Sequence, residues 1–151
     1  GKQTIAFELA QFYALTGKAE KAGEVLRAAW RLDKSYRDAA VTYWTVAILS
    51  KNAEMVHEVA SETDVTRLRE PDLYRIAEAY RQVGDFNSGL MIYEQIVVES
   101  PTNPRYHATL AALYAHAGRK EEARNHALKA AELDASFKEE ADAFIKQLGL
   151  K

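Results

Sequence analysis

The chain has 151 residues, of which 48% are apolar and 28% are charged, and its 20 Lys and Arg residues against 22 Asp and Glu residues give a net charge of −2. These values are typical of a folded globular protein and exclude a disordered chain, while the charge balance argues against nucleic-acid binding, which usually needs a basic surface. The chain contains no cysteine, which excludes disulfides and thiolate metal sites, and no apolar run approaches the roughly 18 residues that span a bilayer.

No apolar core of a signal peptide follows the first residues, so the sequence predicts a soluble domain with no signal peptide and no direct membrane insertion. This pattern does not indicate the cellular compartment. The chain begins almost inside the first predicted helix, at Gln3, which suggests a part of a larger protein, and such a part could be tethered to a membrane protein.

Two helices joined at Gly17 make the first predicted unit. Residues 3–16 and 19–31 carry apolar side chains at helical spacing, and glycine readily ends a helix in the left-handed conformation. The apolar positions are Ile5, Leu9, Phe12, Tyr13, Ala22, Val25, Leu26, Ala29 and Leu32. Because each helix is apolar on one side only, the two are expected to pack against each other.

The second unit is less regular than the first. Residues 37–61 predict two helices in which Lys51-Asn52 replaces the glycine of the turn, with the Asn expected to accept the left-handed conformation. Trp44 stands where a small residue normally lets two helices touch, so either the helices splay there or the register slips by one residue. Residues 63–69 show no clear apolar face and predict a connector with the least regular packing of the chain.

The third and fourth units each begin at a proline, Pro71 and Pro104, which suits the first turn of a helix. After them, Ser136-Phe137-Lys138-Glu139 predicts a capping box that begins a helix over 137–148. This last helix is apolar on one side and charged on the other. Such polarity is typical of a cap that covers the end of a solenoid.

Residues of the same type recur about every 34 positions, most clearly in the third and fourth units. They are Ile76, Ala77, Tyr80, Gly84, Tyr93, Ile96 and Pro101, and then Leu110, Ala111, Tyr114, Gly118, Ala123 and Ala130. This pattern resembles the tetratricopeptide-repeat (TPR) family over essentially the whole chain. The resemblance implies an all-α, right-handed α-solenoid of four helix pairs plus a C-terminal capping helix. A single domain over 1–151 would contain repeats at about 3–36, 37–69 (degenerate), 70–103 and 104–136, and the capping helix at 137–148.

The sequence contains no motif that carries catalysis. It has no nucleophile elbow, no phosphate-binding loop and no dinucleotide fingerprint. No two of its four histidines have the i, i+4 spacing of a helical zinc site, and His107 is expected to be a packed substitute for an aromatic residue. We therefore predict a protein that is not an enzyme, with no catalytic residues, no metal and no cofactor.

In a helical solenoid the first helix of each unit lines a concave groove, and the side chains of these helices that are not needed for packing point into it. This groove is the predicted binding surface. Arg75, Arg81 and Arg105 together with Tyr74 suit an extended peptide with acidic groups. The competing interpretation is a solvated helix face whose arginines pair with Glu78. The predicted partner-binding residues are Phe7, Gln11, Thr45, Tyr74, Arg75, Glu78, Arg81, Arg105 and Thr109.

The sequence favours a non-catalytic scaffold that binds a protein or peptide segment. Chaperone-binding TPR domains bind a terminal carboxylate through a clamp of Lys, Asn and Arg side chains. At the equivalent groove positions of this chain, only Arg75 has the chemistry of that clamp. A fainter resemblance, at residues 103–107 and 133–140, to the TPR tails of bacterial O-antigen ligase and polymerase membrane proteins implies an alternative function. In that alternative the chain is a regulatory or assembly appendage of a larger, membrane-bound, glycan-handling enzyme. RNA binding by related helical repeats is disfavoured by the charge balance, and the oligomeric state is left open.

Overall fold

The computed structural model describes residues 2–150, with side chains from Thr4 onward, and the ends of the predicted domain at Gly1 and Lys151 lie outside the described residues. Across residues 2–150 the secondary structure is helical, without a strand. The helices are α1 (Lys2–Leu15), α2 (Ala19–Leu32), α3 (Arg37–Leu49), α4 (Ala53–Glu62), α5 (Glu70–Gln82), α6 (Phe86–Glu99), α7 (Pro104–His116), α8 (Lys120–Leu133) and α9 (Lys138–Gln147), with short 3-10 turns at Val65–Arg67 and Ala135–Phe137. Within this range no helix has the length and apolar character that crossing a membrane requires.

The helices pack as neighbours in chain order. α1 lies on α2, α3 on α4, α5 on α6 and α7 on α8, while α3 also lies on α2, α7 on α6, and α9 on α8. The largest fully buried side chains sit along these contacts, among them Trp30, Tyr43 and Tyr93. The division into four repeats at the predicted boundaries stays a prediction.

The contact between the second and third helix pairs differs from the others, because α5 packs mainly on α3 rather than on α4. Trp44 is buried at this contact, and its indole N–H donates a 2.8 Å hydrogen bond to the Tyr80 hydroxyl. Tyr43 and Ala47 are fully buried, as the predicted register of α3 requires. The one-residue slip considered from the sequence is therefore wrong, and the Trp44 ring is accommodated between α3 and α5.

The connector over residues 63–69 has more structure than its sequence suggested. Asp64 accepts a 3.0 Å hydrogen bond from the Thr66 backbone N–H and starts the 3-10 turn Val65–Arg67, which contacts α6. Leu68 is buried in the main core. The prediction of no apolar face is thus wrong at Leu68, which attaches the connector to the solenoid.

The turn of the second unit uses its two residues differently from the prediction. Lys51 has a φ of +56°, whereas Asn52 has a φ of −91° and accepts a 3.1 Å hydrogen bond from the Met55 backbone N–H. Asn52 is therefore the N-cap of α4, and Lys51 takes the left-handed conformation that Gly17 and Gly84 take in the neighbouring turns. The expectation that Asn carries this conformation is wrong.

Replacing Lys51 with glycine is expected to raise the free energy of unfolding by about 0.5–1 kcal/mol. The left-handed conformation costs a non-glycine residue about 1–2 kcal/mol, and the greater freedom of glycine in the unfolded chain offsets part of the gain. Denaturant unfolding followed by circular dichroism measures the change. Gly118→Ala, at a turn with a φ of +77°, is the matched control and should lose stability. A Lys51→Gly variant that is less stable than the parent would contradict the assignment.

The start of the last helix also departs from the prediction. Asp134, rather than Ser136, provides the capping oxygen, since its carboxylate accepts a 2.9 Å hydrogen bond from the Ser136 backbone N–H. The turn Ala135–Phe137 follows, and α9 begins at Lys138 without a side-chain cap of its own. The predicted capping box is therefore wrong, although Ala141 and Ile145 are buried against the solenoid as expected.

His107 is buried, as predicted for a packed substitute of an aromatic residue. Its Nε2 lies 2.7 Å from the Pro101 carbonyl oxygen and its Nδ1 lies 2.9 Å from Nδ1 of His126. Because a carbonyl only accepts, His107 Nε2 carries a proton, and in the neutral ring Nδ1 accepts from His126. Burial and the neighbouring His107 lower the pKa of His126. The histidine pair thus fastens α7 to α8.

Candidate partner-binding groove

Two pockets open along the surface that the first helices of the pairs line. The N-terminal pocket, of about 480 Å³, lies between α1, α3 and α5. The C-terminal pocket, of about 580 Å³, lies between α5, α7 and the turn before α9. The N-terminal pocket is lined by Phe7, Ala10, Gln11, Ala14, Leu26, Tyr36, Asp38, Thr42, Val46 and Arg75. The C-terminal pocket is lined by Tyr74, Glu78, Arg81, Tyr93, Asn103, Arg105, Tyr106, Ala108, Thr109 and Phe137.

The predicted binding residues divide between the two pockets. The N-terminal pocket contains Phe7, Gln11 and Arg75, and the C-terminal pocket contains Tyr74, Glu78, Arg81, Arg105 and Thr109. Thr45 lines neither pocket, and its hydroxyl donates a 2.8 Å hydrogen bond to the Val41 carbonyl of its own helix. Eight of the nine predicted residues therefore line one or other of the two pockets, whereas Thr45 lines neither.

Helix geometry explains why Tyr74 and Arg75 face different pockets. Successive residues of an α-helix are turned by about 100°, whereas residues three or four apart share a face. Tyr74, Glu78 and Arg81 consequently point together into the C-terminal pocket, and Arg75 points toward α3 and the N-terminal pocket. Opposite them, Asn103 caps α7 by accepting a 3.0 Å hydrogen bond from the Arg105 backbone N–H, which fixes the first turn that carries Arg105.

Arg81 is neutralised within the C-terminal pocket. Its guanidinium lies 2.8 Å from a carboxylate oxygen of Glu78, and the Tyr93 hydroxyl donates a 2.9 Å hydrogen bond to the same oxygen. The Arg81 guanidinium also lies 5.9 Å from the centre of the Tyr93 ring. Burial and the Glu78 carboxylate raise the pKa of Tyr93, so its hydroxyl stays protonated. The interpretation of an arginine paired with Glu78 therefore applies to Arg81.

Arg75 and Arg105 differ from Arg81 in being exposed and unpaired. Neither guanidinium makes an ion pair or a hydrogen bond with any residue whose side chain the structure describes. Each of them lines one of the two pockets. The positive charge that is available in the groove thus comes from these two residues, one for each pocket.

Aromatic rings form a wall of the C-terminal pocket that the sequence did not predict. The Tyr106 ring centre lies 6.2 Å from those of both Tyr74 and Tyr93. Burial and a hydrogen bond to Glu70 raise the pKa of Tyr106 to about 12, which keeps the ring neutral. The residues that the sequence missed here are Tyr93, Asn103, Tyr106, Ala108 and Phe137. The sequence could have indicated Tyr106, because it is the neighbour of the predicted binding residue Arg105 in the first turn of α7.

Comparison with known proteins identifies the architecture. The sequence profile described as a tetratricopeptide repeat matches residues 104–137, which contain α7, α8 and the turn before α9. The chain has the fold of a TPR protein. The predicted all-α solenoid with helix pairs and a capping helix is thereby confirmed, and the TPR resemblance with it.

Solved TPR structures are similar to nearly the whole chain. A tetratricopeptide repeat protein from Parabacteroides merdae has a TM-score of 0.69 at 17% identity, over 97% of this chain and 60% of its own. A double mutant of MamA from RS-1 has a TM-score of 0.64 at 15% identity, over 97% of this chain and 84% of its own. MamA from Desulfovibrio magneticus RS-1, from residue 41 to its end, has a TM-score of 0.60 at 14% identity, over 97% and 93%. No curated protein gives a significant match.

The TPR fold explains where the pockets lie, because the first helices of successive pairs line one side of the solenoid. The repeat matched at residues 104–137 contributes Arg105 and Thr109 to the C-terminal pocket. Among residues whose side chains are described, no group of three or more His, Asp and Glu side chains could hold a metal ion. The two pockets of the groove are lined by charged, hydrogen-bonding and aromatic side chains.

Proposed function

We propose that this chain is a non-catalytic protein-interaction scaffold that binds an extended, acidic segment of a partner protein along the groove of α1, α3, α5 and α7. The observation that supports this most is the pair of exposed, unpaired arginines, Arg75 and Arg105, one at each pocket. A solenoid presents such a groove as a preformed surface, so a segment that lies along it can contact several helices at once.

Carboxylates are the groups that suit these two positions. A guanidinium binds a carboxylate through two parallel N–H···O bonds, and this geometry adds specificity to the charge attraction. Because Arg75 and Arg105 form no ion pair with the side chains described from Thr4 to Leu150, binding an acidic side chain breaks no ion pair among those residues. Arg81 would have to release Glu78, so it serves in this proposal as part of the pocket wall.

The aromatic wall supplies the second part of the recognition. Tyr74 is exposed and stands beside the partly buried Tyr106, and aromatic side chains of this kind often carry a large share of binding energy at interfaces. An apolar or aromatic side chain of the partner can lie against Tyr74 while a neighbouring carboxylate reaches Arg105. The proposed ligand is therefore a segment in which acidic residues alternate with apolar ones.

The proposal is tested by the binding of fluorescent peptides in which Asp or Glu alternates with Leu, Phe or Pro. We expect such peptides to bind, and the Arg75→Glu/Arg105→Glu variant to lose at least about tenfold in affinity, because hydrogen bonds to charged groups contribute about 1.5–3 kcal/mol each. The matched control is Lys120→Glu/Lys146→Glu, an equal change of charge at exposed positions of α8 and α9. That control should change the affinity by less than about twofold, since these charges lie outside the groove.

Fluorescence anisotropy measures the affinities, and far-UV circular dichroism checks that both variants remain helical. Equal losses in the groove variant and the control would reduce the effect to net charge and contradict the groove assignment. Failure of every acidic peptide to bind the parent protein would contradict the ligand class. The function would then lie closer to the alternative that the sequence offered, an appendage of a larger enzyme.

A further inference from the structure

An apolar pocket, the end pocket, lies between α7, α8 and α9 at the C-terminal end of the groove. It has a volume of about 120 Å³. Its walls are alanine methyl groups from all three helices and the rings of Phe137 and Phe144, and Glu140 is the charged residue among those that line it. Ala108 and Phe137 also line the C-terminal pocket. The two pockets therefore adjoin along the groove.

The end pocket lies where three aromatic side chains of the preceding unit have smaller or acidic counterparts. In that unit, the Tyr106 ring centre lies 6.2 Å from those of both Tyr74 and Tyr93, so rings occupy the space between α5, α6 and α7. The residues one repeat period further on all line the end pocket; they are Ala108, Ala127 and Glu140. Because two methyl groups and an exposed carboxylate replace three rings, the equivalent space stays open between α7, α8 and α9.

This correspondence extends to α9, because α9 repeats the register of α7. The two helices begin one repeat period apart, at Pro104 and Lys138. His107 of α7 and its counterpart Ala141 of α9 are both buried. The end pocket is therefore a position of the repeat that holds the chain's own aromatic rings in the third unit and small side chains in the fourth.

A single aromatic ring matches the end pocket in size and polarity. An apolar protein cavity of roughly 150 Å³ holds one benzene molecule, and the end pocket is close to that size. Phe137 and Phe144 provide ring contacts, which aromatic side chains favour beyond the burial of their area. A carboxylate is a poor occupant, because it would lose its hydration among apolar walls with Glu140 at their edge.

We propose that the end pocket is a specificity pocket for a phenylalanine or tyrosine side chain of the acidic segment bound in the groove. Arg105, Ala108 and Ala112 share one face of α7, so the charge and the pocket lie about one helical turn apart. An extended segment covers that distance in one or two residues. The assignment rests on the proposed function and adds to it the aromatic residue, one or two positions from the carboxylate that Arg105 binds.

Acidic peptides that differ at one position, Phe or Ala, two residues from a Glu, test the assignment by fluorescence anisotropy. The Phe peptide should bind at least about tenfold more tightly, because burial removes the ring from water. Ala108→Tyr copies Tyr74 of the preceding unit and fills the pocket, so it should reduce this preference to less than about twofold. Ala143→Tyr, at an exposed position of α9 outside the pocket, is the matched control and should keep the preference.

A small probe without a carboxylate tests the pocket independently of the arginines. N-acetylphenylalanine amide should shift the NMR signals of ¹³C-labelled alanine methyl groups at Ala108, Ala111 and Ala127 and leave Ala143 unchanged, and Ala108→Tyr should abolish these shifts.

The outcomes separate this assignment from the proposed function. Acidic peptides that bind without a preference for Phe, or a preference that persists in Ala108→Tyr, would overturn the specificity pocket and leave the groove proposal standing. A probe that binds while every acidic peptide fails would overturn the proposed ligand class, and the aromatic residue of an acidic segment with it. Failure of both the probe and the peptides would overturn both.

Discussion

Trp44→Ala is expected to lower the free energy of unfolding by about 3–5 kcal/mol, the range for removing a large buried aromatic side chain. The Trp44 ring packs edge-on against Tyr80, with ring centres 6.4 Å apart, and its indole N–H donates the 2.8 Å hydrogen bond to the Tyr80 hydroxyl. Alanine would leave a cavity between α3 and α5 together with a buried hydroxyl that has lost its partner. Both losses add to the destabilisation.

The position of Trp44 should make the variant less cooperative as well as less stable. The second and third pairs meet through α3 and α5 rather than through α4, so this contact couples the two halves of the solenoid. In a repeat protein each unit depends on its neighbours, and a weakened junction lets the halves unfold separately. We expect the denaturant transition of Trp44→Ala to broaden, with a lower m-value.

Guanidinium unfolding followed by two probes measures this effect. In Trp44→Ala, Trp30 is the remaining tryptophan, so its fluorescence reports on the N-terminal half while circular dichroism reports on all helices. Trp44→Phe is the control, since it keeps a ring in the core and loses the N–H donor; its cost should be smaller, about 1–2 kcal/mol. Coincident transitions with an unchanged m-value in Trp44→Ala would show that the two halves are not coupled through this residue.

Trp44 also shows which features of the fold can be predicted from the sequence and which cannot. The repeat period located the helices and marked Trp44 as the residue that breaks the pattern, because local spacing determines which face of a helix is apolar. The partner of Trp44 is Tyr80, 36 residues further on. That contact depends on the angle at which two helix pairs meet, and the spacing of apolar residues along one helix does not specify that angle.

The candidate site shows the same limit at the level of side chains. The period correctly placed Tyr74, Arg75 and Arg105 on first helices, and these residues line the two pockets. It could not show that Arg81 is held by Glu78, because pairing depends on side-chain conformation. The period also placed Thr45 in the groove, whereas its hydroxyl turns back to bond its own helix, as Thr side chains often do.

Glu58→Ala is the second substitution for which we expect a large effect, a loss of about 1–3 kcal/mol at neutral pH. Glu58 joins three helices: its carboxylate accepts hydrogen bonds from the Tyr43 hydroxyl at 2.9 Å and from Arg31 Nε at 2.8 Å, and it lies 2.7 Å from Arg27 Nε. Its side chain is only 18% exposed. Removing the carboxylate would leave the fully buried Tyr43 with an unpaired hydroxyl.

The effect of Glu58 should also depend on pH in a defined direction. Burial alone would raise the pKa of the Glu58 carboxyl, but the hydrogen bonds from Arg31 and Tyr43 and the charges of Arg27 and Arg31 together lower it below 4.5. A carboxyl whose pKa is lower in the folded state stabilises the protein above its unfolded pKa, and this contribution is lost as the pH falls through the folded value. The stability difference between the parent and Glu58→Ala should therefore be full above about pH 5 and shrink as the pH falls below about 4.5.

Glu54 provides a matched comparison, because it contacts the same arginine with a different degree of exposure. The Glu54 carboxylate lies 2.9 Å from Arg27, but its side chain is 78% exposed, so solvent screens the pair. Glu54→Ala should change the unfolding free energy by less than about 0.5–1 kcal/mol at any pH. Denaturant unfolding of both variants at pH 7 and pH 4 measures the two losses of unfolding free energy. Equal losses for the two glutamates would mean that the buried Tyr43 hydroxyl finds another partner, and that burial is not what makes Glu58 important.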